Sequence, residues 1–230
     1  MAINIETLKT RSLTALVFVI VMLGGLLING WLFALLFIII MFGSLFEFHK
    51  LLKKIPLLSD SKYLVLSLPY IILPVMLIIY LAFEKSFSPS NFSPLVPCII
   101  IFSIWINDTM AYIVGSLIGK TPFSKISPKK TWEGTTGGAV LCVVVMGLLA
   151  NFFLKGNESA YLINTKQVVI IASICAVFGT IGDLFESKLK RMAGVKDSGK
   201  IMPGHGGFLD RFDSFLVATP VVWIYIQFIM

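Results

Sequence analysis

Residues 13–48 read LTALVFVIVMLGGLLINGWLFALLFIIIMFGSLFEF, two apolar runs separated by one Asn-Gly pair. A helix that crosses the hydrocarbon core of a bilayer needs about 20 mainly apolar residues. The runs Leu13–Ile28 and Trp31–Phe48 approach that length, and the pair between them leaves room only for a tight turn. The stretch therefore predicts a hairpin of two membrane-spanning helices. We expect no cleavable signal peptide, because no small-residue cleavage site follows the first run and a second span begins at once.

The composition extends this interpretation to the whole chain. Of 230 residues, 57% are apolar and only 13% are charged, and the mean hydropathy is +0.92. A soluble domain averages roughly 45–50% apolar and about 25% charged residues. A soluble fold of this size has too little interior to bury the additional apolar side chains. These values exclude a soluble enzyme, a disordered chain, a disulfide scaffold and a coiled coil. The cysteines lie in apolar runs without metal-ligand spacing, which predicts free buried thiols at Cys98, Cys142 and Cys175.

Seven segments are apolar enough to be candidate spans. They are Leu13–Ile28, Trp31–Phe48, Tyr63–Phe83, Pro94–Ile118, Thr135–Leu154, Gln167–Glu186 and Phe208–Ile229. We therefore expect an all-α polytopic transmembrane helix bundle of about seven spans, forming a single membrane-embedded domain over residues 1–230. In that domain, residues 1–62 form the amino-terminal hairpin and a basic loop, and residues 94–230 carry most of the polar chemistry.

Basic residues alternate between successive loops. The amino terminus and the loops after spans two, four and six carry 2, 4, 4 and 5 lysines or arginines, whereas the intervening loops carry 0, 1 and 2. Because loops on the cytoplasmic side are enriched in Lys and Arg, we expect the amino terminus inside and the carboxyl terminus outside. The net charge of +7 is thus interpreted as inner-loop charge and not as a nucleic-acid-binding surface.

The end of the second span carries a carboxylate. Ionisable residues at membrane depth are costly and usually face a bundle interior or a cavity. Glu47 stands beside the basic residues Lys50 and Lys54. The plainer interpretation is an interfacial glutamate with no special role.

The fourth span combines polar and small residues. Asn107 and Asp108 lie more than half way along it, and Ala111, Gly115 and Gly119 repeat at helical spacing. Small residues in this pattern let another helix approach closely. The span is therefore either a helix-packing seam with one interhelical hydrogen bond or part of a polar site; the carboxylate of Asp108 favours the second interpretation because it needs a cation or a proton.

Carboxylates lie on both sides of the loop that follows the sixth span. Asp183, Ser187 and Lys190 fall at i, i+4 and i+7, on one face of the sixth span. Asp210 and Asp213 follow at i and i+3 in the first turn of the seventh. Carboxylate oxygens suit a hard cation such as Mg²⁺, so the pattern predicts a metal site. The alternative, charges that only complement helix dipoles, does not explain Asp183.

The loop between these carboxylates is basic and rich in glycine. Pro203-Gly204-His205-Gly206-Gly207 predicts a turn whose backbone amides could bind an anion. Loop charge that only sets orientation is the alternative, and His205 could equally stabilise the turn. The loop after the fourth span adds S-P-K-K-T-W-E-G over residues 127–134, which suits either phosphates or an ordinary interfacial loop.

Together these motifs resemble the phosphatidate cytidylyltransferases, also called CDP-diacylglycerol synthases. The most specific match is S-x-L-K-R-x-x-x-x-K-D-x-G-x-x-M-P-x-H-G-G-F-x-D-R-F-D over residues 187–213. W-x-N-D-x-x-A-Y over residues 105–112, the 127–134 loop and the hairpin ending in Phe46-Glu47-Phe48 also resemble that family. The resemblance covers nearly the whole chain, although family members usually carry about two more spans between the hairpin and the Asn-Asp helix.

The resemblance implies a membrane nucleotidyltransferase of phospholipid biosynthesis. It would convert CTP and phosphatidate to CDP-diacylglycerol and pyrophosphate, in a bacterial-type inner membrane with the active site on the cytoplasmic side. Both substrates are anionic, so Mg²⁺ and basic groups must neutralise charge. Membrane lipids are expected partners and nucleic acid is not. The resemblance leaves open a monovalent cation beside Mg²⁺ and a homodimer.

The same resemblance assigns roles to individual residues. Asp210, Asp183 and Lys190 are expected to be catalytic, and Asp183, Asp210 and Asp213 to bind Mg²⁺. The residues expected to bind substrate are Lys129, Lys130, Ser187, Arg191, Lys196, Asp197, His205, Gly206, Gly207 and Arg211. The alternative function is a transporter or channel for phosphorylated solutes, and the absence of an internal sequence repeat weighs against it.

Overall fold

The computed structural model describes residues 5–83, 91–154, 163–199, 201 and 206–230. Over these ranges the chain forms seven α-helices and isolated β-bridges, which confirms the predicted all-α polytopic bundle. The helices are α1 (Ile5–Leu27), α2 (Gly30–Lys54), α3 (Leu73–Ala82), α4 (Leu95–Ile118), α5 (Trp132–Leu154), α6 (Thr165–Met192) and α7 (Leu209–Phe228).

Several of these helices have the length and composition of membrane spans. Among the described residues, five stretches qualify: Gly30–Lys54, Ser61–Ala82, Leu95–Ile118, Trp132–Leu154 and Thr165–Met192. A shorter apolar stretch, Ser12–Leu27, lies in α1. α7 is helical over most of the predicted seventh segment, with Asp210, Arg211 and Asp213 near its start. The helices make this an integral membrane protein.

The predicted amino-terminal hairpin is confirmed. α1 ends at Leu27 and α2 begins at Gly30, and the Asn29 side chain accepts a hydrogen bond from the amide of Leu32 at 2.9 Å. Asparagine is a favoured residue at this position because its side chain satisfies an amide that the helix leaves without a partner. The same residue that signals the turn in the sequence therefore also starts the second helix.

The third span differs from the sequence prediction, which gave one segment over Tyr63–Phe83. Two 3₁₀ helices, Pro56–Leu58 and Ser61–Leu66, are followed by a π-helix over Leu68–Ile72 and only then by α3. Proline has no amide hydrogen and cannot donate inside a helix. Prolines at positions 69 and 74 fall in this stretch, and the amide of Leu73 bonds to the carbonyl five residues earlier, on Leu68. The prolines explain why α-helical geometry starts late.

The chain divides into two compact units, each made of two stretches. The first unit comprises Met1–Pro94 and Glu186–Asp213, and the second comprises Leu95–Phe185 and Ser214–Met230. The first unit buries Phe33, Phe37, Ile71 and Ile78, and the second buries Ile100, Ile171 and Phe215. All three cysteines are free thiols, as predicted, and Cys98 is the one that is only half-buried. The single domain over residues 1–230 stays a prediction.

Within the second unit, α4 and α5 approach each other through small residues, as the sequence predicted. A Cβ atom added to Gly134 would lie 2.9 Å from the Cα of Gly115, and one added to Gly138 would lie 2.6 Å from the backbone nitrogen of Ala111. Helices that approach this closely have room only for glycine at the crossing point. The contact brings the carboxyl-terminal half of α4 against the first turns of α5.

Replacing Gly138 by alanine is therefore expected to destabilise the second unit. The added methyl group would meet the backbone of Ala111, which cannot move aside as a side chain can. Overpacking of this kind costs about 1–3 kcal/mol, more than the helix propensity that alanine gains. The melting temperature in detergent measures the loss. Gly147→Ala is the matched control in α5, because its new Cβ would meet only the end of a Val169 side chain at 3.2 Å; equal melting temperatures for the two variants would contradict the packing argument.

Candidate active site

In the first unit, a largely buried lysine is held between two carboxylates. Lys190 forms an ion pair with Glu186, one turn earlier on α6, and its ammonium donates to Asp210 Oδ1 at 2.6 Å. Glu186 is fully buried and also interacts electrostatically with Asp210 and Asp213. We call Glu186, Lys190 and Asp210 the Lys190 cluster. An ammonium has three N–H donors, so one remains for a phosphate oxygen.

Local sequence explains how the chain returns to Lys190. α6 ends with Gly194 at φ +66°, and the amides of Gly194 and Val195 bond to the carbonyls of Arg191 and Lys190 at 3.1 and 2.9 Å. This is a Schellman motif, in which glycine adopts the left-handed conformation at low cost. The motif ends the helix directly after the cluster and directs the following loop towards the start of α7.

Asp210 is held by hydrogen bonds from several groups in addition to Lys190. Its Oδ2 atom accepts from the amide of Ser198 at 2.8 Å, from the Ser198 hydroxyl at 2.9 Å and from the amide of Gly207 at 2.8 Å. A carboxylate with this many donors has a fixed orientation. Gly207 was predicted to bind phosphate through its backbone; its amide is engaged with Asp210, so a phosphate would have to replace that acceptor.

The second unit contains a polar cavity of about 420 Å³. Lys130 and Asp183 form an ion pair at its wall, and each side chain is 28% exposed. Asn107 also lines the cavity; it is 4% exposed, and its side-chain oxygen has no hydrogen-bond partner among the described residues. Asp108 and Lys129 add a carboxylate and an ammonium to the wall. The sequence predicted that Lys129 and Lys130 bind substrate and that Asp183 binds metal. For Asn107 and Asp108 it left a choice between a packing seam and a polar site, and Asp108 favoured the polar site.

Hydrogen bonds connect the two ends of the loop that carries Lys129 and Lys130. Glu133, in the first turn of α5, accepts hydrogen bonds from the amide of Lys120 at 3.2 Å and from the hydroxyl of Thr121 at 2.8 Å. The amide of Phe123 donates to the Lys130 carbonyl at 2.7 Å. The loop is thus a small closed turn, and this geometry presents its lysines to the cavity.

The other predicted site residues differ in burial. Ser187 is buried in α6, and Arg191 Nη1 donates to the carbonyl of Val195 at 3.2 Å. Asp213 is buried as well. The exposed members of the predicted set are Lys129, Arg191, Lys196, Asp197 and Arg211.

Of the predicted turn residues, the structure describes Gly206 but not His205. Gly206 has φ +84°, in the region that glycine adopts readily. Pro203 and Gly204 of the predicted turn lie outside the described residues, so the turn itself stays a prediction. His205 lies outside the described residues, so its predicted role in binding substrate stays a prediction.

Sequence reasoning missed three residues of the first unit. Glu186 had a local signal, because it precedes Lys190 by four residues on a helix. Glu47 had no sufficient local sequence signal. The interpretation as an interfacial glutamate is wrong, since Glu47 is 2% exposed and accepts a hydrogen bond from Ser198, 151 residues later. Ser198 was not among the candidate residues.

The donor chemistry of the two sites fits Mg²⁺. Asp183 and Asp210 each have a lysine ammonium against the carboxylate, so each already attracts a cation. Over the described ranges, no group of three or more Asp, Glu, His or Cys is close enough to enclose a metal ion. Mg²⁺ does not need such a cage, because it is usually held by one or two carboxylates together with substrate phosphates and waters. That Asp183, Asp210 and Asp213 bind the metal stays a prediction.

Known proteins match large parts of this chain. A family model described as the cytidylyltransferase family matches residues 55–229. Proteins named phosphatidate cytidylyltransferase from Staphylococcus haemolyticus and Staphylococcus saprophyticus are 45% and 47% identical to the chain over 120 residues, and that from Staphylococcus aureus is 42% identical. Each alignment covers 52% of this chain and 44% of the relative, so the chain spans less than half the length of these relatives.

The family match includes both sites described above, since it extends from before α3 to the end of α7. It agrees with the resemblance of the three motifs, and it gives the transporter alternative no support. The chain belongs to the cytidylyltransferase family.

Proposed function

We propose that the protein is a membrane nucleotidyltransferase that makes CDP-diacylglycerol and pyrophosphate from CTP and phosphatidate. The observation that carries the proposal is the polar cavity, because Lys129, Lys130 and Asp183 surround a space of about 420 Å³. That volume is in the range of ligand pockets, roughly 300–1,000 Å³. A cavity with two lysines and a carboxylate suits a phosphate ligand that arrives with a metal ion.

The chemistry requires little covalent participation by the protein. A phosphate oxygen of phosphatidate attacks the α-phosphorus of CTP, and the bond from that phosphorus to the bridging oxygen breaks as pyrophosphate leaves. The attacking phosphate is already ionised near neutral pH, so no general base is needed. Catalysis then depends on alignment and on neutralising charge.

The proposed roles follow from the positions of the side chains. Lys129 and Lys130 bind phosphate at the cavity, and the free N–H of Lys190 binds phosphate in the first unit. Asp183 in the second unit, and Asp210 with Asp213 in the first, would each hold Mg²⁺, which would neutralise phosphate charge. Asn107 orients a ligand through its unpaired oxygen. Further phosphate contacts come from Arg191, Lys196 and Arg211.

The location of the enzyme is part of the proposal. The alternation of basic residues along the chain supports an amino terminus on the cytoplasmic side, and all the proposed catalytic loops follow even-numbered spans. We therefore propose a bacterial-type inner membrane with a cytoplasmic active site. A homodimer and a monovalent cation remain compatible with this scheme.

Purified protein in detergent, mixed with labelled CTP, phosphatidate and Mg²⁺, is expected to form labelled CDP-diacylglycerol. The product should disappear when phosphatidate is omitted, when EDTA is added, and in the Asp210→Ala variant. The exposed Asp60→Asn variant is the matched control and should keep full activity, since Asp60 lies at the surface in an ion pair with Lys62. If the wild-type protein gives no more product than Asp210→Ala, the proposed function is wrong.

A further inference from the structure

Glu47 is a buried carboxylate that the proposed reaction does not use. It lies in α2, is 2% exposed, and its Oε2 atom accepts hydrogen bonds from the Ser198 hydroxyl at 2.8 Å and from the Leu209 amide at 2.9 Å. Burying an ionisable side chain is costly unless it is well bonded. The burial of Glu47 is therefore explained by its hydrogen bonds to two segments, one at Ser198 and one at Leu209.

The contact with Leu209 caps a helix. Leu209 is the first residue of α7, and the first amides of a helix have no partner within it. The carboxylate supplies that partner from α2, 162 residues earlier in the chain. A negative charge is also favourable at this end of the helix dipole. Glu47 thus fixes where α7 starts and the direction in which its first turn leaves the loop.

Two glycines make space for the carboxylate. A Cβ atom added to either Gly199 or Gly207 would overlap the carboxylate of Glu47. The Cβ added to Gly199 would also lie 3.2 Å from the Cα of Gly207, so the two segments lie side by side. Glu47 therefore fills a space bounded by the Ser198–Gly199 turn and by the residues that lead into α7.

The same two segments hold Asp210. Ser198 donates to Asp210 through both its amide and its hydroxyl, and the amide of Gly207 donates to the same oxygen. The Ser198 hydroxyl has one proton and lies within hydrogen-bond distance of both Glu47 and Asp210. Every donor that orients Asp210 Oδ2 is therefore on a segment that Glu47 also contacts.

We propose that Glu47 is a positioning residue: it holds Ser198 and the start of α7 so that the Asp210 carboxylate keeps the direction needed to bind a divalent cation. The inference rests on the proposed function for the role of Asp210, and on geometry alone for the role of Glu47. Groups that orient a metal-binding carboxylate typically change metal affinity or activity about 10- to 100-fold when they are removed.

The test uses Glu47→Gln in the full-length protein, which keeps the shape and one acceptor oxygen but removes the charge. Without substrate, peptide-resolved hydrogen exchange should speed up over residues 198–199 and 207–211, with other segments unchanged. Graded MgCl₂ alone should raise the melting temperature of the wild type, and the midpoint of that response should move to about tenfold higher concentration in Glu47→Gln. The MgCl₂ concentration for half-maximal CDP-diacylglycerol formation should shift by a similar factor.

Controls separate positioning from simple loss of stability. Asp60→Asn, an exposed carboxylate of the same unit, should leave all three measurements unchanged. Ser198→Ala removes only the shared hydroxyl, so it should shift the MgCl₂ response in the same direction even if Glu47→Gln does not fold. Unchanged exchange in Glu47→Gln would overturn the proposal, and so would faster exchange with an unshifted MgCl₂ response. If the wild type makes no CDP-diacylglycerol, the proposed function fails, while exchange and thermal stabilisation still decide the role of Glu47.

Discussion

Lys190→Met is expected to unfold the first unit at temperatures where the wild type is stable. The substitution keeps most of the side-chain volume but leaves Glu186, which is fully buried, and the largely buried Asp210 without their shared ammonium. Removing one member of a buried ion pair costs about 3–5 kcal/mol, because the remaining charge cannot return to water. A third carboxylate, Asp213, interacts with Glu186 and adds to the repulsion. A melting temperature in detergent measures the effect.

Lys188→Met is the matched control for this prediction. Lys188 is exposed on the same helix, two residues before Lys190, and an exposed lysine contributes little to folding. Its variant should melt within about 2 °C of the wild type, since that shift corresponds to about 0.5–1 kcal/mol for a protein of this size. Equal melting temperatures for Lys188→Met and Lys190→Met would show that the cluster does not stabilise the fold.

The features that sequence reasoning found are those with a local signal. The hairpin was predictable because Asn29 both interrupts the apolar run and caps α2. The close approach of α4 and α5 was predictable because Ala111 and Gly115 repeat at helical spacing, although their partners, Gly134 and Gly138, were not identified. In both cases residues within one or two helical turns contain the necessary information.

The features that it missed depend on contacts distant in the chain. Glu47 and Ser198 are 151 residues apart, and no periodicity or composition relates one to the other. The late start of α3 had a signal in the two prolines, but hydropathy alone does not distinguish α from π geometry. The division of α6 and α7 between two units likewise depends on tertiary packing, since both helices read as uninterrupted spans.

Asp183→Asn is expected to abolish most of the activity while leaving the protein folded. Its ion pair with Lys130 is more exposed than the Lys190 cluster, with each side chain 28% accessible. A pair of this kind contributes about 0–1 kcal/mol to stability. Asparagine keeps the shape of aspartate and removes only the charge, so binding of Mg²⁺ and the neutralisation of phosphate charge should weaken. Losing one electrostatic contact to a transition state typically lowers kcat roughly 10²–10³-fold.

Three further variants make this prediction specific to the cavity. Lys130→Met should lower activity as well, and the double variant should be less impaired than the product of the two single effects, because the residues contact each other. Lys125→Met changes an exposed lysine of the same loop and should retain activity within about twofold, as expected for a surface substitution away from the site. Melting temperatures of all four variants should lie close to the wild type. Turnover by Asp183→Asn within threefold of the wild type would remove Asp183 from the active site, because a carboxylate whose role is limited to pairing with a partly exposed lysine can be neutralised with little effect on the rate.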